Sequence, residues 1–101
     1  MIQKKLPKQT ETQIKHSIKQ YLDFNKIWHF HLLAGLGAYP GLPDMIAIWP
    51  NTIWMIEVKS KVGKLSSKQK AFRDRCLMNG INYIVVRSVD DVADAMGLLR
   101  I

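Results

Sequence analysis

Ile53-Trp54-Met55-Ile56-Glu57-Val58-Lys59 reads as a β-strand of branched and aromatic side chains, yet its second half carries an acid and a base two positions apart. Strand residues alternate between faces, so Glu57 and Lys59 project together while Ile56 and Val58 point the other way. An apolar strand of this kind belongs inside a sheet, where an unpaired charge is costly. Whatever fold the chain adopts must therefore supply partners for these two groups. The nearest candidate is Asp44, which follows Pro43 and heads the preceding apolar run. Pro50 and Asn51 make a turn between strands expected over Met45 to Trp49 and Thr52 to Ser60, so the hairpin brings Asp44 toward Glu57.

The remaining elements follow from caps and periodicity. Thr10 with Gln13 has the form of a capping box, and Ile14, Ile18 and Leu22 recur at helical spacing, which predicts a helix over Glu11 to Asp23. Ile27 to Leu33 reads as a strand, followed by the Gly- and Pro-containing loop AGLGAYPGLPD. After the hairpin comes a basic loop, Lys61 to Leu65. Ser66 with Gln69 repeats the capping box and opens a helix over Ser67 to Met78 that stops at Gly80. Tyr83 to Arg87 is a Val-rich strand, and Ser88 caps a last helix through Asp90, Asp91, Val92 and Met96. The order is α-β-β-β-α-β-α, an α/β fold with a mixed four-stranded sheet flanked by helices. The third and fourth strands, joined through a helix, should be parallel, and the first three antiparallel.

The 101 residues are read as one domain, 1–101, with the polar N-terminal stretch up to Lys8, and residues 1–9 at most, expected to be flexible. A formal charge of +7 suits a polyanionic partner, nucleic acid or an acidic membrane surface. Every apolar run is broken by a charge or glycine before membrane length, and no secretory segment is recognisable, so the expectation is a soluble, cytoplasmic protein without a membrane partner. The single Cys76 excludes an internal disulfide and a thiolate zinc cluster, and its place beside Phe72 in a helix marks it as a core residue.

An isolated acid-x-lysine triplet is most often a surface ion pair. Here it comes with a second acid, a glutamine on a capped helix and a basic domain. Two carboxylates about 5 Å apart repel by roughly 3 kcal/mol at an effective dielectric of about 20. Lys59 offsets part of this, and a divalent cation with oxygen ligands offsets more, which points to Mg²⁺ or Mn²⁺. Glu11 shares the apolar face of the first helix, at its positive end. It is either a first-turn acid favoured by the helix dipole or a member of the site.

Gly41-Leu42-Pro43-Asp44, Glu57-Val58-Lys59 and Leu65-Ser66-Ser67-Lys68-Gln69 together resemble the motifs of the PD-(D/E)xK nuclease superfamily, and within it the VRR-Nuc family. The resemblance runs from Glu11 to the segment Val85-Val86-Arg87-Ser88 and on to Asp90-Asp91-Val92. It implies a restriction-endonuclease-like core and a metal-dependent DNA endonuclease that hydrolyses phosphodiester bonds. It also implies that Asp44, Glu57 and the carbonyl of Val58 bind metal, with Glu11 as a further ligand. Lys59 would contact the scissile phosphate or attacking water, and Gln69 would orient the site. Neighbouring carboxylates favour the charged lysine, so Lys59 suits charge stabilisation better than proton abstraction. The insert-free chain resembles stand-alone viral and bacterial members, which implies a homodimer selective for branched DNA such as Holliday junctions.

Lys61, Lys64 and Lys68 follow the motif closely and are candidates for phosphate binding, with Lys70, Arg73 and Arg75 beyond them and Lys4, Lys5, Lys8, Lys15 and Lys19 crowding the N-terminal part. His29 and His31 share a strand face but lack a third nitrogen or sulfur ligand, so a structural or DNA-facing role is favoured over zinc. Trp49 and Trp54 flank the Pro50 turn, as core or as a subunit contact. Two rivals remain, a restriction-type sequence-specific nuclease and a nucleic-acid-binding module that keeps the fold without activity.

Overall fold

The computed structural model describes residues 8–100. Most of the stretch expected to be flexible, with the basic Lys4 and Lys5, is residues 1–7 and lies outside the described residues; Lys8 and Gln9 precede the first helix. The chain order is α1 (Glu11–Phe24), β1 (Trp28–His31), β2 (Met45–Ile48), β3 (Ile53–Val58), α2 (Ser67–Met78), β4 (Asn82–Val86) and α3 (Val89–Met96). The sheet runs β1-β2-β3-β4. β1, β2 and β3 pair antiparallel, while β3 and β4 pair parallel. The α/β fold and element order are those read from the sequence.

Differences are confined to the ends of elements. β1 starts later than expected because the chain leaves α1 through Lys26, at φ +56°, and the Ile27 N–H turns back to the Leu22 carbonyl. β3 is shorter than Thr52 to Ser60, although Lys59 still donates its N–H to the Val86 carbonyl (3.0 Å) and so extends the parallel ladder by one bond.

The two faces of the sheet differ. α1 and α3 cover one, where Ile14, Ile18, Leu22, Val92 and Ala93 pack on Met45, Ala47, Ile56, Val58 and Val86. Each fully buried Leu or Ile side chain contributes roughly 1.5–3 kcal/mol. The other face meets α2, whose only buried side chain is Cys76, with Phe72 edge-on to Tyr39 and tilted against Tyr83. Cys76 is thus buried, under α2 rather than in the main core. The cross-strand rows Trp28-Ile48-Ile53 and Phe30-Ile46-Met55 belong to this second face. Of the two hairpin tryptophans, Trp54 packs against the core while Trp49 is exposed. Among the described residues no helix is long and apolar enough to cross a membrane.

Candidate active site

Asp44 is held by its backbone before its side chain does anything. Its N–H donates to the Ile56 carbonyl (3.1 Å), and its own carbonyl accepts from Leu32 N–H (2.9 Å), so it continues β2 between β1 and β3. Pro43 ahead of it is fully buried. Gly41, at φ +78°, lies against α2 so closely that a Cβ there would stand 2.2 Å from the Lys68 carbonyl oxygen. The Gly41-to-Asp44 segment thus works as a spacer: a close approach to α2, a buried rigid residue, then the acid.

The Asp44 carboxylate has two partners. Oδ2 accepts from Val58 N–H (2.7 Å), and Oδ1 lies 2.8 Å from Lys15 Nζ. Val58 therefore meets Asp44 through its amide. Lys15, noted in the sequence only as one of several N-terminal bases, is the site member that sequence reasoning missed. The available signal was its place one helical turn after Glu11, on the same side of α1. Burial alone would lower its pKa, but the hydrogen bond and charge of Asp44, with the fields of Glu11 and Glu57, raise it.

Glu57, near the end of β3, is only 3% exposed. Its Oε1 accepts from Gln69 Nε2 (3.2 Å) and lies 3.8 Å from Lys59 Nζ. Its Oε2 is buried without a hydrogen-bond partner. Burial, followed by the adjacent Asp44 charge, pushes the Glu57 carboxyl up to about 8, against the opposing pull of Lys59 and Lys15. Gln69 serves two structures at once. Its Oε1 accepts from Ser66 N–H (2.9 Å) in the capping box of α2 while its Nε2 reaches Glu57.

The structure thus brings Asp44, Glu57, Lys59 and Gln69 together, with Lys15 added. It does not gather Glu11 with the two acids: no three His, Cys, Asp or Glu side chains form a metal-binding group among the described residues. Glu11 Oε1 instead faces the basic loop, 3.4 Å from where a Cβ on Gly63 would stand. A divalent cation fits what is present. An unpartnered buried carboxylate oxygen beside a second acid holds a proton more tightly than usual, and a hard divalent cation offsets the same repulsion with two charges.

The basic loop is strapped in place. Arg87 Nη1 donates to the carbonyls of Ser60 and Gly63, each at 2.6 Å. Lys61, Lys64 and Lys68 are exposed around this loop and the start of α2. A cleft of about 310 Å³ lined by Lys8, Gln9, Ile14, Lys61, Arg87 and Ser88 opens beside it. His29 stands apart from the acids, its Nε2 2.6 Å from Asp23 Oδ1 at the end of α1. His31, paired with Met45 next to Asp44, has its pKa lowered by burial and by the Lys19 charge, against the pull of the Asp44 backbone.

Comparison with known proteins bears on the fold and the family. A solved structure described as a VRR_NUC domain superposes with a TM-score of 0.73 at 25% identity, covering 88% of this chain and 97% of that one. No curated protein matches the chain. The sequence model of the VRR-NUC domain matches residues 9–90, a span that holds α1, the sheet, α2 and every residue of the site, and so the chain belongs to the VRR-NUC family of nuclease domains.

Proposed function

We propose that this nuclease domain is a divalent-metal-dependent DNA endonuclease, using Mg²⁺ or Mn²⁺, that acts as a homodimer on branched DNA such as Holliday junctions. The observation that carries the metal-dependent reading is Glu57, a buried acid with one oxygen on Gln69 and the other without a partner, set beside Asp44. Asp44, Glu57 and the Val58 carbonyl would hold the cation. Such a cation, when bound, lowers the pKa of its water, polarises the phosphoryl oxygen and stabilises the leaving 3′ oxygen.

The chain's own residues do the rest. Lys59 places a positive charge where charge develops on the transferring phosphoryl group, and its burial keeps it from straying into solvent. Gln69 fixes the rotamer of Glu57. Lys61, Lys64 and Lys68 bind flanking phosphates without reading bases.

The homodimer is supported by the open sheet face. Trp28 is 67% exposed and Ile53 50%, in one cross-strand row, and Phe30 in the next row lies 5.9 Å from the Trp28 ring. An apolar patch of this kind on a small domain suits a two-fold contact, and two symmetric active sites suit the paired strands of a four-way junction.

The test is cleavage of four-way, flapped, nicked and linear DNA with and without Mg²⁺ or Mn²⁺, with Asp44→Asn as control. Metal-dependent cutting that prefers the junction and vanishes in Asp44→Asn is expected. Cutting in the presence of a chelator would sink the metal reading. Light scattering that finds a monomer, with equal cutting of junction and linear duplex, would sink the resolvase reading.

A further inference from the structure

Two ammonium groups and two carboxylates meet at this site, and they meet as pairs. Lys59 sits on Glu57, and Lys15 sits on Asp44. The second pair is the tighter one, 2.8 Å against 3.8 Å, although Lys15 comes from a different element and lies outside the motif residues. It is also the more accessible, with 32% of the Lys15 side chain and 18% of the Asp44 side chain exposed.

The consequence follows from how Asp44 is used up. Its Oδ2 is committed to the Val58 amide, a bond made by the backbone of β3 that cannot be given up without moving the strand. Oδ1 is the Asp44 oxygen free of a backbone bond, and Lys15 Nζ lies 2.8 Å from it. An ammonium and a divalent cation compete for one oxygen by charge and by space. The ammonium is the one that can leave, because it is a point charge at the end of a flexible four-carbon stem.

We infer that Lys15 is a built-in counter-ion that holds Asp44 Oδ1 in the metal-free protein, weakens divalent-cation binding there, and moves to a substrate phosphate when the cation takes the oxygen. The inference rests on the proposed metal site. It makes Lys15 a positioning residue that couples two binding events. With no nucleic acid present, displacing Lys15 leaves a positive charge beside a divalent cation. With a phosphate present, the displaced ammonium has an anion to meet. Cation and nucleic acid should therefore each tighten the binding of the other, and Lys15 should carry part of that coupling.

The experiment measures Mn²⁺ binding by calorimetric titration without DNA and again with a short duplex, in the wild type, Lys15→Gln and Lys15→Arg. Circular dichroism confirms that each is folded; Lys15 is half-exposed on a helix, and both replacements are good helix formers. Lys15→Gln is expected to bind Mn²⁺ about three- to tenfold more tightly without DNA, and to lose part of the extra affinity that DNA confers. Lys15→Arg keeps the charge and should stay close to wild type without DNA. Metal-free Lys15→Gln should melt lower than wild type, and saturating Mn²⁺ should remove the difference. Unchanged or weaker Mn²⁺ binding in Lys15→Gln would overturn the inference while leaving the metal site standing. Failure of the wild type to bind Mn²⁺ at all would overturn both, which keeps the two outcomes distinguishable.

Discussion

α1 and α2 begin with the same device. In α1 the Thr10 side chain accepts from Gln13 N–H (3.1 Å) and Gln13 Oε1 accepts from Thr10 N–H (2.9 Å); in α2 Ser66 and Gln69 do the same at 3.2 and 2.9 Å. Locally the two caps are equivalent. Gln13 is exposed and serves its helix alone, whereas Gln69 is half-buried and turns its spare amide nitrogen onto Glu57. The cap restricts the rotamer of Gln69, so the site receives a preoriented donor as a by-product of starting a helix. The difference lies in what each helix is docked against. Gly41 lets the chain press on the Lys68 carbonyl, which sets the first turn of α2 over the end of β3.

The comparison is broken most severely by removing the partner that only α2 has. Glu57→Gln leaves both capping boxes intact, yet it should cost about a thousandfold in cleavage, the scale on which lost electrostatic stabilisation is measured. The same variant has a pH signature. Because the folded-state value of about 8 lies above the ordinary 4.5, Glu57 favours folding most below pH 4.5, and this contribution disappears as pH rises to about 8. The metal-free wild type should therefore lose stability over that window. Urea melts of Glu57→Gln should lack this part of the slope, and an unchanged slope would mean that the raised pKa belongs to another group.

Next in size is a swap that the helix cannot feel. Glutamate is as good as glutamine at the third position of a capping box, so Gln13→Glu and Gln69→Glu should both keep their caps. Only the second sets an acid against Glu57, and cleavage should fall about a hundredfold in Gln69→Glu alone. Equal cleavage in the two variants would reduce Gln69 to a capping residue.

How much of this was legible follows from the kind of signal each feature leaves. The caps, the 3.6-residue stripe of Ile14, Ile18 and Leu22, and the hairpin turn at Pro50 are local, and they appear where expected. The approach of Asp44 to Glu57 was legible because a hairpin relates two strands by a short turn. The Lys15–Asp44 pair was not, because it depends on how α1 crosses the sheet, and helical periodicity specifies a face without saying what that face will meet. The open sheet face was missed for a similar reason. Trp28, Phe30 and Ile53 are strand residues like any others in sequence, and only the way α2 sits over the sheet shows which apolar rows it leaves exposed. Arg87 reads as one more base, and its function as a strap depends on a loop folding back to it.

Truncation gives a smaller and cleaner contrast. Gln13→Ala and Gln69→Ala each remove one half of a capping box and should cost about 1 kcal/mol in chemical denaturation. Cleavage by Gln13→Ala should match wild type, while Gln69→Ala should lose about tenfold because Glu57 stays buried but loses the donor that fixes its rotamer.

The smallest effect concerns the segment that presents the second cap and that the first cap lacks. Ser60 to Leu65 joins β3 to α2, and Arg87 holds it through the Ser60 and Gly63 carbonyls. Its side chain is exposed, so water can replace both bonds, and Arg87→Met should cost only about 1 kcal/mol. The backbone of Arg87 is unaffected, since its N–H is bound independently to Asp91 Oδ2 (2.8 Å). The loosened loop should let the first turn of α2 wander, so Gln69 meets Glu57 for a smaller fraction of the time. A decrease of about two- to fivefold in cleavage is expected, with faster amide exchange confined to 60–69 and none at the start of α1. Faster exchange at both helix starts would mean that Arg87 supports the whole fold, and the asymmetry between the two caps would then need another cause.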